Sequence, residues 1–318
     1  MSRYVGGRIA ALLPMLLLIT LAVFVLTRAL PGNPVEQLVP PDMAQQLSLA
    51  QLAAMKHQLG LDKPIIVQYV DWLGPLIRGN WGYSLQTFQP VTTVLSARLP
   101  VTGELTILGT ILSLVMAIPL GIWAAVRRGT VQDTFATILG LVGLSTPNIF
   151  SGVVLIYVFA YRFHLLPIIG YVSFFRQPAA NLGFMILPAI TIGTTLMGSL
   201  MRITRTSMLE VLSADYITTA RSKGLRERTV IYRHALKNAF IPVLTVLGLH
   251  IGGLLGGAVI VEEIFSLPGV GSIVVNGIFD RDYPVIEGAV LLFAFVFVVL
   301  NLIVDLCYGW LDPRIRFS

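Results

Sequence analysis

Six long apolar runs constrain this chain most, because each can cross about 30 Å of bilayer hydrocarbon as a helix of roughly 20 residues. Hydrophobic residues make up 55% of the 318 residues and charged residues only 12%, well below the roughly 25% charged residues of soluble domains. The sequence therefore predicts an all-α integral membrane protein with six transmembrane helices. The runs are Ile9–Thr27, Val101–Val126, Phe135–Tyr161, Leu182–Met201, Ala239–Val261 and Val285–Tyr308.

The first run follows Arg3 and Arg8, as the apolar core of a secretory signal peptide would. It is long, however, and Arg28-Ala-Leu-Pro-Gly follows it where a cleavage site would need small residues. We therefore expect a retained first helix.

The basic residues predict the orientation. With both termini in the cytosol, most of them fall on the cytosolic side, as the positive-inside rule requires. This distribution also explains the net charge of +6 better than nucleic-acid binding does, since no basic groove interleaved with aromatic residues is present. The cytosolic set is Arg3, Arg8, Arg127, Arg128, Arg202, Arg205, Arg221, Lys223, Arg226, Arg228, Arg233, Lys237, Arg314 and Arg316.

Residues 29–98 form a long extracytoplasmic segment between the first two runs. Apolar residues recur at helical spacing within Leu49–Leu59, and an aromatic group indicates buried surface; a simple linker is the alternative. The aromatic residues are Tyr69, Trp72, Trp81 and Tyr83. We predict a first helix at 1–28, a folded cap at 29–98 and a five-helix core at 99–318 that includes a cytosolic loop at 202–238.

The cytosolic loop contains a short predicted helix that begins at Asp215. Asp215 can cap this helix or stabilise its positive end, and Gly224 can supply the left-handed residue that stops it after about two turns. Tyr216, Ala220 and Gly224 lie four apart on one face, whereas Arg221 and Lys223 project elsewhere. This narrow face is suited to insertion into a cleft of a cytosolic partner.

A basic helix follows through Arg226, Arg228, Arg233 and Lys237 and continues into the fifth run at Ala239. A push on the short helix would then reach the membrane. An amphipathic helix resting on anionic lipid would also be basic, so both interpretations are open at this point.

The loop resembles the signature cytoplasmic loop of permease subunits in binding-protein-dependent ABC importers. The resemblance rests on Asp215-Tyr-Ile-Thr-Thr-Ala-Arg-Ser-Lys-Gly-Leu225 and Arg233-His-Ala-Leu-Lys-Asn-Ala-Phe-Ile-Pro242. The broad pattern is Glu-Ala-Ala, three residues, Gly, nine residues, then Ile-x-Leu-Pro. Ala220 and Gly224 match it, and Leu236 stands where its later leucine belongs.

The departures from the broad pattern, which are Thr218, Thr219, His234 and Lys237, resemble the oligopeptide, dipeptide and nickel type of importer. Leu59–Pro64, Gly79–Ser84 and Phe265–Gly271 are also similar, so the resemblance covers essentially the whole chain. Asn80 stands where aspartate is expected.

The resemblance implies a type I permease fold in a bacterial cytoplasmic (inner) membrane. Its implied partners are a second homologous permease subunit, two ABC ATPase subunits that hold ATP and Mg, and an extracytoplasmic substrate-binding protein. The chain would form half of a translocation pathway for peptides, with nickel chelates or glutathione as alternatives. The loop would couple the ATPases to transport through Asp215, Tyr216, Thr219, Ala220, Arg221, Lys223, Gly224, Leu225, Arg228, His234, Ala235 and Leu236.

The chain lacks a nucleotide-binding P-loop of its own. A P-loop places lysine directly after glycine, and none of the lysines, Lys56, Lys63, Lys223 and Lys237, follows a glycine. We therefore expect a non-catalytic subunit that binds no cofactor.

Two other function classes were weighed. Gly143-Leu-Ser-Thr-Pro147 and His250 superficially resemble an intramembrane serine protease, although serine commonly packs between membrane helices and Pro147 would suit a kink. A gradient-driven transporter could use Glu104, Glu287 or Asp305, but these acids lie near span ends, where a charge costs little and serves as an anchor.

The remaining polar residues indicate no metal site. His57, His164 and His234 have no metal-ligand spacing, and Cys307 is the single cysteine, which excludes an internal disulfide.

Two glycine-containing segments have alternative interpretations. Close helix packing is favoured over pore lining for Gly248, Gly252, Gly253, Gly256 and Gly257 in the fifth run. The outside turn is either a gate or binding-protein contact or an ordinary re-entrant turn; its candidate residues are Glu262, Phe265, Pro268, Gly269 and Gly271.

Overall fold

The computed structural model describes residues 2–29, 54, 57, 62–167 and 169–311. Its contacts divide the chain into two compact units. Most of the first unit is Gly103–Leu267, and the second consists of described residues of Val5–Thr102 together with Pro268–Val298. The sequence-based boundaries at 28/29 and 98/99 stay predictions.

The described residues are almost entirely helical, which confirms the predicted all-α class. The helices are α1 (Ser2–Ala29), α2 (Ile65–Ile77), α3 (Val91–Val126), α4 (Val131–Ser145), α5 (Asn148–Arg162), α6 (Pro178–Leu212), α7 (Asp215–Ser222), α8 (Glu227–Ile264), α9 (Val270–Asp280) and α10 (Tyr283–Leu311). Helix α5 ends in a π-helical turn at Ile156–Arg162, and α8 contains another at Val230–Ala235.

Four helices in the described part of the chain are long and apolar enough to cross a membrane, namely α3, α6, α8 and α10. The number rises to five if α4 and α5 form one bent span. The first predicted run lies in α1, of which Pro14–Thr27 is a shorter apolar helix. The chain is therefore a multi-pass membrane protein, while the count of six remains a prediction.

The third predicted run is not one continuous helix, because α4 and α5 are bent by 104°. Pro147 has no N–H for the helical ladder, and it disfavours helical geometry at the residue before it. Thr146 is accordingly extended, with ψ of 119°. Its N–H and hydroxyl both donate to the Val142 carbonyl, at 3.0 and 2.6 Å. The expected kink at Pro147 is thus present, as a break between two helices.

Helix α6 lies at the centre of the first unit and is buried along most of its length. Glycines allow its neighbours to approach it at backbone distance. A Cβ atom on Gly198 would collide with the Gly140 carbonyl and lie 2.9 Å from the Leu144 nitrogen, both in α4. A Cβ on Gly193 would lie 2.9 Å from the Gly109 carbonyl in α3. Small residues therefore set these crossings, as is common between membrane helices.

An ion pair joins the start of α4 to the end of α6. Arg205 Nε and Nη2 donate to the two carboxylate oxygens of Asp133, at 2.7 and 2.9 Å. Asp133 is 6% exposed and also accepts the Gly129 N–H at 3.0 Å. Sequence reasoning missed this pair, whose members are 72 residues apart.

Replacing Asp133 by alanine is expected to lower the free energy of unfolding by about 3–5 kcal/mol, because Arg205 would keep a half-buried charge without its partner. Denaturant unfolding of the purified chain in detergent measures this loss. The exposed Arg221–Glu227 pair provides the control, and Glu227→Gln should cost less than about 1 kcal/mol. Equal losses in the two variants would contradict the assigned role of burial.

The second unit contains the aromatic residues that the sequence places in the cap. The Phe24 ring in α1 lies 5.3 Å from the Tyr69 ring and 5.6 Å from the Trp72 ring of α2. The Thr20 and Tyr69 hydroxyls are 2.8 Å apart. These contacts confirm that part of the aromatic group is buried. The helical pattern predicted at Leu49–Leu59 lies outside the described residues, apart from Ala54 and His57.

A buried carboxylate holds the loop before α3 to the start of α10. The Ser84 hydroxyl and the Leu85 N–H both donate to Asp282, the latter at 3.1 Å. An apolar core lies beside this link and consists of Val91, Leu95, Val270, Val285 and Ala289. The short helix α9, which the sequence analysis did not predict, contributes Val270 to that core.

Candidate functional site

The loop between α6 and α8 contains the short helix predicted from the sequence, α7. Ala214 occupies its N-cap position in an extended conformation, so Asp215 is the first helical residue and not the cap. The Asp215 carboxylate therefore stabilises the positive end of the helix by its charge.

Gly224 ends the α7 segment in the left-handed conformation, as predicted. Its φ angle is +74°, and no atom lies within 4 Å of a Cβ built on it, so backbone conformation alone explains the glycine. The Gly224 N–H donates to the Arg221 carbonyl at 2.9 Å, and the Lys223 N–H donates to Thr219 at 3.1 Å. These bonds close the last turn.

One side of α7 packs against the chain itself. Ile217 is fully buried and Ala220 is 7% exposed. Their cluster, here called the anchor cluster, contains Ile122 and Ala125 of α3, Met208 of α6, and Val230, Ile231, Ala235 and Ala239 of α8. The prediction that Ala220 shares an exposed docking face with Tyr216 and Gly224 is therefore wrong. Ile217 and Ala220 form an apolar stripe, and burial against three longer helices removes it from solvent.

The other side of α7 and the following turn are exposed. Tyr216 is 43% exposed and Leu225 is 40% exposed. Of the predicted coupling residues, His234 and Leu236 are half-buried and Ala235 is buried. The exposed members form a continuous stretch of sequence with one later residue, and they are Asp215, Tyr216, Thr219, Arg221, Lys223, Gly224, Leu225 and Arg228.

Two polar contacts fix the turn around Gly224. Arg221 Nη2 and Nε donate to the Glu227 carboxylate at 2.7 and 3.2 Å. This hydrogen bonding raises the pKa of Arg221, so the guanidinium stays charged. Asn238 Nδ2 donates to the Tyr216 hydroxyl at 2.8 Å. Sequence reasoning missed Glu227 and Asn238, although opposite charges on either side of a glycine turn were a usable signal for Glu227.

The basic helix after Gly224 runs without a break into the fifth apolar run, as predicted. Helix α8 begins at Glu227 and ends at Ile264, with the π-helical turn Val230–Ala235 near its start. Val230 and Ala235 in this turn are fully buried in the anchor cluster. Helix α7 is thus attached both by sequence and by packing to a membrane-capable helix.

The predicted gate or binding-protein contact is mostly buried. Glu262 and Phe265 are buried in the first unit, and Gly269 and Gly271 are buried in the second, where Pro268 is half-buried. The exposed side chains of this turn are Glu263 and Ser266. The functional role of the turn stays a prediction.

The alternative sites have specific structural partners. His250 Nε2 lies 3.0 Å from the Ser199 hydroxyl and makes no hydrogen bond to Ser145 within the described part of the chain, so the serine and histidine of the protease interpretation are not brought together. Glu104 accepts from the Tyr171 hydroxyl at 3.0 Å, and Glu287 accepts from Trp72 Nε1 at 3.3 Å. The side chain of Asp305 lies outside the described residues.

The glycine run of α8 is not a continuous packing surface within the chain. A Cβ on Gly248 would collide with Val304, so Gly248 packs closely as expected. Gly253 and Gly256 have nothing within 4 Å of such an atom. For these two glycines the close-packing interpretation is wrong within this chain.

Comparison with known proteins gives matches along the whole chain. The family described as "Binding-protein-dependent transport system inner membrane component" matches residues 117–317, and its N-terminal counterpart, "Binding-prot-dependent transport system membrane comp, N-term", matches residues 1–106. The probable peptide ABC transporter permease protein y4tP of Sinorhizobium fredii is 38% identical over 317 residues, which is 100% of each chain.

Other relatives are similar over the same length. The glutathione transport system permease protein GsiC of Salmonella typhimurium is 37% identical over 100% of both chains. The di/tripeptide transport system permease protein DppB of Pseudomonas aeruginosa is 37% identical over 99% of both. A crystal structure of an amino acid ABC transporter with histidines covers 70% of this chain and 94% of its own, at 17% identity and a TM-score of 0.45.

Proposed function

Because the chain belongs to the family of binding-protein-dependent transport system inner membrane components, we propose that it forms half of the translocation pathway of an ATP-driven peptide importer. Similarity of 37–38% over nearly the full length to permeases named for peptides, di/tripeptides and glutathione supports this proposal. The family consists of permease subunits that are generally non-catalytic.

The proposed architecture has six spans, which are α1, α3, the bent pair α4–α5, α6, α8 and α10. Residues 29–98 form an extracytoplasmic cap, and both termini lie in the cytosol of a bacterial cell, as the distribution of basic residues predicts. The type I permease fold is part of the same proposal.

The anchor cluster carries the proposed coupling mechanism. Ile217 and Ala220 of α7 pack against the ends of α3, α6 and α8, while Tyr216 and Lys223 are exposed beside them. A partner that pushes on the exposed side would therefore move three membrane-capable helices together. Closure of ATPases on ATP would bias the permease between inward-facing and outward-facing states through this contact.

The proposed partners are a second homologous permease, two ABC ATPases and an extracytoplasmic binding protein. ATP and Mg bind to the ATPases, since the sequence of this chain has no glycine–lysine step of a P-loop. The binding protein selects the substrate.

Cysteine cross-linking tests the proposed docking face. With Cys307 replaced by serine, Thr219→Cys should form a cross-link to a co-purified ATPase subunit. The adjacent Ala220→Cys should form none, because Ala220 is buried in the anchor cluster while Thr219 is exposed. The measurement is mass spectrometry of the cross-linked band, together with ATP-driven uptake of a labelled dipeptide. Cross-linking from position 220 alone, or purification without any ATPase, would contradict the proposal.

Glutathione is the second candidate substrate, favoured by the similarity to GsiC. Competition of unlabelled glutathione against dipeptide uptake separates the two. Nickel chelates and a gradient-driven mechanism are distinguished by the same assay, through added chelate and through omission of ATP.

A further inference from the structure

The second unit contains a cavity of about 240 Å³ that none of the proposed coupling steps uses. It lies between α2, the loop before α3 and the start of α10. The lining residues are Trp72, Pro75, Leu76, Asn80, Trp81, Gly82, Pro284, Glu287, Gly288 and Leu291. The cavity therefore combines two indole rings and one carboxylate with otherwise apolar or uncharged walls.

Packing holds the two tryptophans in position. The Trp72 ring lies 5.6 Å from the Phe24 ring, and its Nε1 donates to Glu287 Oε2 at 3.3 Å. Trp81 lies against the Gly288 backbone of α10, where a Cβ atom would be 3.5 Å from the indole. The walls are therefore positioned by neighbouring groups rather than by a ligand.

Gly82 shapes the loop that carries Trp81. Its φ angle is +82°, which favours glycine. Its N–H donates to Asn80 Oδ1 at 3.2 Å. Asn80 and Trp81 thus line the cavity from a loop whose conformation is locally determined.

The chemistry of the lining matches a cation that carries hydrogen-bond donors. Indole faces attract ammonium groups electrostatically, and a carboxylate accepts charge-assisted hydrogen bonds from them. Glu287 is the only acidic residue among the lining side chains of this cavity in the described structure, and no lysine or arginine lines it. The volume is below the roughly 300–1,000 Å³ of pockets for drug-sized ligands, so the cavity suits the end of a molecule.

We propose that this cavity binds a primary ammonium group, with Glu287 as its charge partner and Trp72 and Trp81 as aromatic walls. Two sources share this chemistry, the α-ammonium of a peptide and the headgroup of an ethanolamine phospholipid. Only the peptide source rests on the proposed function.

The test uses the full chain in nanodiscs of phosphatidylglycerol and follows tryptophan fluorescence during titration with dialanine. Dialanine should give a saturable change, and N-acetyl-dialanine, which lacks the ammonium, should bind at least about tenfold more weakly. Glu287→Gln should weaken dialanine binding by at least about tenfold, because charge-assisted bonds carry that much affinity. Glutamine still accepts the Trp72 N–H, so the packing is retained.

Glu104→Gln is the matched control, since Glu104 also accepts from an aromatic side chain, Tyr171 at 3.0 Å, but lies in the first unit. It should leave the affinity unchanged. Trp81→Leu is the second variant and should weaken binding through loss of a wall, and thermal unfolding verifies that each variant is folded.

Nanodiscs of phosphatidylethanolamine distinguish the two sources. If the lipid headgroup fills the cavity, wild-type protein retains this lipid in native mass spectrometry, Glu287→Gln loses it, and the lipid weakens the dialanine response. An unchanged dialanine response assigns the site to the peptide. Equal binding of the acetylated peptide, equal binding by Glu287→Gln, or no binding of either amine would overturn the proposal.

Peptide uptake by the complete importer is measured separately. Uptake without ammonium binding would leave the proposed function intact and remove this site. Ammonium binding without uptake would do the reverse.

Discussion

Gly224→Pro is expected to abolish ATP-driven peptide uptake by the complete importer while the variant still inserts into the membrane. Proline fixes φ near −65°, whereas residue 224 requires +74°. Proline also removes the N–H that donates to the Arg221 carbonyl. The exposed side of α7 would then point in another direction relative to the anchor cluster. Uptake and ATP hydrolysis, measured together in proteoliposomes, should show uptake reduced at least about tenfold, since a bias of ~1.4 kcal/mol changes a population tenfold.

Alanine variants separate the effect of position from that of strain. Gly224→Ala places a side chain in the left-handed conformation, which costs about 1–2 kcal/mol. Gly129, in the turn before α4, has φ of +77° and likewise nothing within 4 Å, so Gly129→Ala carries the same strain outside the coupling loop. We expect impaired coupling only from Gly224→Ala. Equal uptake in the two alanine variants, or normal uptake by Gly224→Pro, would disprove the role of the loop.

Gly198→Val is expected to prevent stable folding of the first unit. Even the first carbon of the side chain would collide with the Gly140 carbonyl and approach the Leu144 nitrogen to 2.9 Å. These atoms are backbone, so relief requires α4 to move away from α6. Overpacking of a core costs about 1–3 kcal/mol for small additions, and valine adds more than the alanine carbon considered above. Thermal unfolding in detergent and the yield of monodisperse protein measure the effect.

Gly253→Val and Gly103→Val are the controls for this substitution. A Cβ on either glycine has nothing within 4 Å, and both lie inside long helices. The isolated chain should tolerate both with little change in unfolding temperature. Comparable destabilisation by all three would show that helix propensity, not the crossing of α4 and α6, sets the cost.

The sequence was sufficient for features that depend on local pattern. Hydrophobic length located α3, α6, α8 and α10, and the conformational freedom of Gly224 located the end of α7. The break at Pro147 was expected as a kink, but its size depends on which neighbours receive the two half-helices. Helix α9 was missed because its 11 residues are too few for a span and follow a turn.

Features that depend on distant residues were not predictable. Ala220 is buried because Ile122 and Met208 arrive from other helices, and a single sequence does not show that arrival. Asp133 and Arg205 are separated by 72 residues, and Trp72 and Glu287 by 215. The anchor cluster and the ammonium cavity therefore became visible only in three dimensions.

The break between α4 and α5 also determines which flank of the first unit can face the lipid tails. If the two helices form one span, backbone groups near Thr146 and Pro147 lie at membrane depth without a continuous helical ladder, which hydrocarbon does not tolerate. Polar side chains gather beside this break, where the Thr195 hydroxyl donates to Asn148 at 3.0 Å and Ser199 lies 3.0 Å from His250. This flank must therefore be turned toward protein or water, and the lipid-contacting perimeter of the subunit is left to the opposite, uniformly apolar helix faces.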